Sequence, residues 1–182
     1  EAVLPTRGGD WYDGGLWQDV FLHKWGTKND LVKGSWDYLY RVIAQANKSL
    51  DKLNEILAKD PENTSVPKYI SEVRAFRALY YYYLLDMFAR VPLVTSSTTA
   101  MADVEQSERS VVFTFVKTEL EESVADLSDA HSNLPGEYYG RITKPVAYFL
   151  LAKLALNAEI YTDDNWTDGS KPDGKTIKFT VD

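Results

Sequence analysis

The chain has 182 residues, 45% of them hydrophobic and 26% charged, which is enough apolar material for one globular domain with its own core. A formal net charge of -7 argues against general affinity for nucleic acid or anionic lipid, since both require a positive surface. The lack of cysteine excludes disulfides, thiolate zinc sites and thiol nucleophiles, and no apolar run approaches the roughly 20 residues of a membrane-spanning helix.

Residues 1–34 read as a loop region. Its stretch PTRGGDWYDGGLWQDVFLHKW, Pro5 to Trp25, is unusual because it mixes Trp11, Trp17 and Trp25 with glycines and both charge signs. Exposed aromatic area costs solubility, so the segment is expected either to fold back on a core or to present indole faces to a ligand. The chain opens at Glu1 and not at Met, which leads us to expect an upstream segment.

Four main helices follow over residues 35–161. The first is expected from Ser35, as N-cap, to Lys59, with Trp36, Leu39, Ile43, Ala46, Leu50, Leu53 and Leu57 at the spacing of one helix face. Asp60-Pro61 ends it. The second starts near Pro67 and places Tyr69, Ile70, Val73, Phe76, Tyr80, Tyr83, Leu84 and Met87 on a broad stripe, stopping before Val91-Pro92. Consecutive Tyr80 to Tyr83 point in four directions, so packing is their expected role rather than a shared stacking platform. Residues 95–107 are small and polar and read as a surface connection.

The third helix is expected from Ser110 to Asp129, with Val112, Phe115, Val116, Leu120, Val124 and Leu127 inward and Glu119, Glu122, Asp126 and Asp129 in water. The fourth has Thr143 as N-cap and Pro145 in its first turn and reaches Tyr161. Its alanines 147, 152, 155 and 158 allow a neighbouring helix to come close. Beyond it, residues 162–182 are a turn-rich tail that ends in an alternation of Ile177, Phe179 and Val181, a strand signature. The expected fold class is therefore all-α: tetratricopeptide-like stacked helix pairs with a long N-terminal loop and a short C-terminal β segment, one domain over 1–182.

Three patterns resemble one family. Trp36, Tyr40, Ile43 and Asn47 fit W-x-x-x-Y-x-x-I-x-x-x-N. Glu72, Arg74, Arg77, Ala78, Tyr81, Tyr82 and Leu84, followed by Val91, Pro92 and Leu93, fit E-x-R-x-x-R-A-x-x-Y-Y-x-L running into V-P-L. Arg141, Thr143, Lys144 and Ala147 fit R-x-T-K-x-x-A. These segments resemble the SusD/RagB family, and PTRGGDWYDGG is similar to a loop of one of its subgroups. The resemblance implies a surface-exposed lipoprotein of the outer membrane that captures oligosaccharide and delivers it to a SusC-like TonB-dependent transporter. It further implies that this chain is the N-terminal half of a longer protein, with membrane attachment only through a lipid anchor that this chain does not contain.

The candidate ligand-binding residues are Arg7, Asp10, Trp11, Asp13, Trp17, His23 and Trp25, all in the opening loop. Indoles stack on the C–H faces of sugars, while carboxylate, imidazole and guanidinium groups bond their hydroxyls. Glycines 8, 9, 14 and 15 permit the tight backbone that gathers them. Arg7, Asp10 and Trp11 are expected to meet ligand, and at least one of Trp17 and Trp25 to be core. Glu72, Arg74 and Arg77 are expected to pair locally along their helix. DDNWTDG, residues 163–169, misses the calcium-loop pattern at Thr167 and Asp168 and reads as a turn. His23 and His131 are too far apart in sequence to suggest zinc, and no cofactor is expected. Two alternatives remain: a helical-repeat scaffold that binds a protein partner and no sugar, and, ranked below it, a glycoside hydrolase using Asp10 and Asp13.

Overall fold

A computed structural model describes residues 13–180. Two compact units divide between Arg41 and Val42, inside one long helix. Among the described residues there are six α-helices and two strands of two residues each, so the all-α expectation holds. No described helix is long and apolar enough to cross a membrane.

In the first unit, a 3-10 turn over Asp13–Gly15 leads into α1, Leu16–Phe21. Helix α2 then starts at Asp30 and runs to Lys59. Its start is five residues earlier than the Ser35 cap expected from sequence. The reason is Asn29, whose Oδ1 accepts the backbone N–H groups of Leu31 at 3.0 Å and Val32 at 3.3 Å, the first free donors of the helix.

The second unit opens with the remainder of α2, where Ile43, Ala46, Asn47 and Leu50 are buried at the expected spacing. Asn63 Oδ1 accepts from the N–H groups of Ser65 and Val66 and starts α3, Val66–Phe88. Helix α3 buries Ala75, Ala78, Tyr81, Tyr82, Leu84 and Leu85. That face is rotated from the stripe read in the sequence, which leaves Tyr69, Tyr83 and Met87 exposed. The rotation turns the arginines of α3 inward, toward carboxylates on another helix. Ala89 ends α3 with φ 61, and Val91–Pro92 (β1) then pairs antiparallel with Gln106–Ser107 (β2).

Helix α4, Arg109–Ser123, packs on α3 and continues as a 3-10 turn, Val124–Asp126. Its N-terminus is capped from far along the chain: Asp164 accepts the Ser110 backbone N–H at 2.9 Å and the Ser110 hydroxyl. Helix α5, Lys144–Leu156, packs on α4 and breaks at Asn157 before the short α6, Ala158–Tyr161. Thr143 occupies the N-cap position, but its hydroxyl makes no capping bond and is buried without a hydrogen-bond partner among the described residues; its carbonyl instead accepts from Val146 and Ala147. Ala147 and Ala158 are buried, whereas Ala152 and Ala155 are exposed, so only part of the alanine set meets a neighbouring helix.

The charged residues of α3 form an inter-helix network and not the local pairs expected. Arg74 donates to Glu119 Oε1 from Nε at 2.9 Å and Nη2 at 2.7 Å, and Arg77 Nη2 donates to Glu119 Oε2 at 2.6 Å. Glu119 is thus buried at 6% exposure, where the periodicity of α4 had put it in water. Periodicity reports which residues are apolar, and it misplaces a carboxylate that two guanidinium groups neutralise. Arg77 Nη1 also donates to Asn47 Oδ1 and to the Thr95 carbonyl. Asn47 Nδ2 and the Tyr81 hydroxyl both donate to the Val94 carbonyl at 2.8 Å, and the Val94 N–H donates back to the Tyr81 oxygen. Helices α2, α3 and α4 and the strand exit after Pro92 are locked at one node.

Glu72 likewise reaches across the fold, accepting two hydrogen bonds from Arg141 at 3.0 and 2.6 Å. Those bonds, foremost among the causes, hold the Arg141 pKa above its ordinary value against the opposing effect of desolvation. Both side chains keep solvent contact, 21% for Glu72 and 32% for Arg141. Glu72→Ala is accordingly expected to cost about 1 kcal/mol in urea denaturation. A loss above about 3 kcal/mol would show that this pair behaves as a buried one.

The tail departs from the strand expectation. Residues 177–180 form no strand; Phe179 packs edge-on against Phe113 of α4 at 6.2 Å, with the Lys117 ammonium over its ring, and the Thr180 N–H donates to Glu121. Its alternation serves packing on a helix, and among the described residues no strand lies beside it to pair. Val181 lies outside the described residues.

Candidate functional site

The first unit gathers the described part of the opening loop. Asp13, Gly14 and Gly15 have φ of 41, 65 and 89, three successive left-handed residues that glycine makes accessible at two of the positions. This turn brings the Asp13 carboxylate back over α1, where Oδ2 accepts the indole N–H of Trp17 at 2.8 Å. With its polar edge occupied, Trp17 offers its ring face, and the side chain is 37% exposed. After α1, His23 adopts φ 56 and turns the chain so that its ring lies 5.1 Å from that of Trp25, tilted by 41°. Trp25 is 44% exposed.

Neither Trp17 nor Trp25 is core, contrary to the expectation that at least one would be. The physical reason lies in α1, which at six residues is too short to make a two-sided layer, and none of its residues is buried.

A cleft of about 340 Å³ opens beside this turn. Its walls include Asp13 and Leu16 from the start of the segment, Asp19 from α1, and Lys28, Asn29 and Asp30 from the entry to α2. Among the described residues, the structure therefore joins Asp13 to Trp17 and His23 to Trp25, and it places Asp13 in the cleft wall. Trp17, His23 and Trp25 are not part of that wall. Arg7, Asp10 and Trp11 lie outside the described residues. Asp13 is thereby the one described carboxylate of the pair considered for hydrolysis, and it already holds an indole N–H.

Asp19, Lys28, Asn29 and Asp30 were missed in the sequence because Lys28 to Asp30 were read as plain loop. An Asx residue before an acidic first turn, here Asn29-Asp30, is a helix-start signal that places these side chains at the cleft mouth. No set of three or more His, Asp or Glu side chains among the described residues is arranged to hold a metal ion. What remains is a surface of carboxylates, an amide and an ammonium group next to two open indoles. These are donors and acceptors for hydroxyls, with flat apolar faces for C–H groups.

Comparison with known proteins gives a consistent picture. The SusD-like family model, described as starch-binding and associating with the outer membrane, matches residues 9–156. The starch-binding protein SusD of Bacteroides thetaiotaomicron is 30% identical over 92 residues, covering 50% of this chain and 16% of that protein. A laminarin-binding SusD-like protein of known structure is 30% identical, with a TM-score of 0.58 over 70% of this chain and 27% of its own. The crystal structure of a SusD homologue from Bacteroides thetaiotaomicron shares the fold at a TM-score of 0.68 and 24% identity, covering 81% of this chain and 29% of that one. This chain spans less than a third of the length of each of these relatives.

Proposed function

Since the chain belongs to the SusD-like family, matched over residues 9–156, we propose that it is the glycan-contacting N-terminal part of an outer-membrane nutrient-binding protein. It captures oligosaccharide at the cell surface and passes it to a SusC-like TonB-dependent transporter, without chemistry of its own. The whole protein is held to the outer membrane by a lipid anchor. The observation that supports this reading is that one short segment carries the exposed indoles of Trp17 and Trp25 and a polar cleft of Asp13, Asp19, Lys28 and Asn29, with Asp13 bonded to the Trp17 indole. Sugar recognition needs both kinds of surface, and the short segment 13–30 carries both. Arg7, Asp10 and Trp11, which lie outside the described residues, are carried into this proposal from the sequence alone, and the His23 ring lies 5.1 Å from that of Trp25.

The relatives named for starch and laminarin make these two glucans the first probes. Affinity electrophoresis in gels containing each should retard the protein, and Trp25→Ala and Trp17→Ala should each weaken retention about tenfold, the loss of about 1.4 kcal/mol of stacking. Full retention in both variants removes the two indoles from the site. Reducing ends released from either polysaccharide would overturn the non-enzymatic reading. Co-purification of the full-length protein with its transporter tests delivery.

A further inference from the structure

The DDNWTDG segment has a place in the fold that its sequence does not announce. Asp164 is fixed to the start of α4 through Ser110, and the turn beyond it is braced internally. Asp163 accepts the Asn165 N–H, Asn165 donates to Asp168, and Thr167 donates to Asn165. On this anchored turn stands Trp166, 73% exposed and the most open of the described tryptophans. Its side chain forms one wall of a cleft of about 140 Å³ whose other walls include Ala89, Arg90, Arg109 and Asp163.

The polar groups in this cleft differ in how far they are committed. Arg90 is paired with Glu108 and donates to the Asp164 carbonyl. Arg109 donates one Nη1 bond to the Ile160 carbonyl at 2.9 Å and has no carboxylate partner among the described residues. Asp163 accepts one backbone N–H on Oδ1. A guanidinium fork without an anion, a carboxylate with capacity to accept, and an indole face open to water therefore meet in one small space.

We propose that this cleft is a second saccharide site, distinct from the N-terminal loop, that takes a single pyranose residue of a glycan chain. The ring stacks on Trp166, Arg109 donates to the oxygens of two neighbouring hydroxyls through two N–H groups, and Asp163 accepts a hydroxyl. The volume is well below that of a drug-sized pocket and suits one sugar ring, so each contact is weak by itself. The proposal shares with the preceding section the premise that the chain binds carbohydrate, but none of its residues.

Protein labelled with 5-fluorotryptophan separates the two sites, with each resonance assigned by single Trp→Phe substitution. Starch-derived, laminarin-derived and galacturonic-acid oligosaccharides serve as probes, the last because Arg109 would favour a ring bearing a carboxylate. The Trp166 resonance is expected to shift with at least one of them, and to do so still in the Trp17→Ala, Trp25→Ala double variant. Arg109→Ala should reduce that response about tenfold while the loop resonances respond as before. A Trp166 signal that stays fixed with all three probes, at millimolar concentration, overturns the second site whether or not the loop signals move. Silent loop signals with a moving Trp166 signal would instead remove the loop reading and leave this one standing.

Discussion

Glu119→Ala is expected to destabilise the second unit by about 3–5 kcal/mol, a large part of the roughly 5–15 kcal/mol that holds a typical domain together. The substitution removes the carboxylate that forms a salt bridge with Arg77 among the described residues, and Arg77 is itself 6% exposed, so a buried guanidinium charge is left without its ion partner. Arg74 is less affected, because Glu122 also accepts from it. Burial acts to lower the Arg74 pKa, and its bonds to Glu119 and Glu122 outweigh that and raise it, which marks how far its charge depends on these partners. In a chain of this size the loss corresponds to a fall in Tm of about 10 °C. Glu122→Ala, whose side chain is 56% exposed, is the control and should cost less than about 1 kcal/mol. Replacing Arg77 and Glu119 together by Met and Leu should cost less than either single change, since no unpaired charge remains. A Glu119→Ala protein within 1 kcal/mol of the parent in urea denaturation would show that water reaches this node.

The second large effect is set by pH. Tyr81 is fully buried, and burial foremost pushes its phenol from 10.0 up to about 12, opposed by its hydrogen bond with Val94 and by the nearby Arg77 charge. The folded pKa lies above the unfolded one, so the fold favours the neutral phenol. That contribution is fully present below about pH 10 and disappears as pH rises through about 12. A shift of about two units corresponds to about 3 kcal/mol. Tyr161 is raised as well, by burial and by its hydrogen bond to Asp86, and steepens the same limb. The part belonging to Tyr81 is isolated by Tyr81→Phe. At neutral pH this variant should lose about 1–3 kcal/mol, because the Val94 N–H and carbonyl lose a partner. Between pH 10 and 12 its stability should fall less steeply than the parent's. Parallel curves for the two proteins over that range would show that Tyr81 ionises without opening the fold.

These two sites also show what could be read before the structure. The apolar spacing of Ile43, Ala46 and Leu50, or of Val112, Val116 and Leu120, is a local property, and these residues are buried on helices as it predicted, although α2 starts earlier and α4 ends sooner than expected. Local spacing carries nothing about partners distant in sequence. Arg74, Arg77 and Glu72 looked self-contained because their helical neighbours have suitable charge, yet their ion-pair partners lie 42 to 69 residues away. Glu119 followed the same logic in reverse: its charge suggested water, and only the two arginines of α3 explain its burial. The alternation at Ile177 and Phe179 was a true sign of one apolar face, but the face it meets belongs to a helix. In the opening loop, residue types were legible and positions were not. Asp13 and Trp17 are four residues apart and joined, as spacing allows, whereas the contribution of Asp19 and Lys28 depends on where α2 begins.

The cap on α4 has a consequence in time. Its first turn is satisfied by Asp164, a residue synthesised 54 positions after Ser110. While the chain is being made, α4 leaves the ribosome with that end open, and it can be finished only after α5 and α6 have also emerged. Each helix is coded in order, but the stack is sealed from its far end. A nascent chain halted before residue 164 is therefore expected to hold α4 in a frayed, protease-sensitive form, and the next few residues to close it.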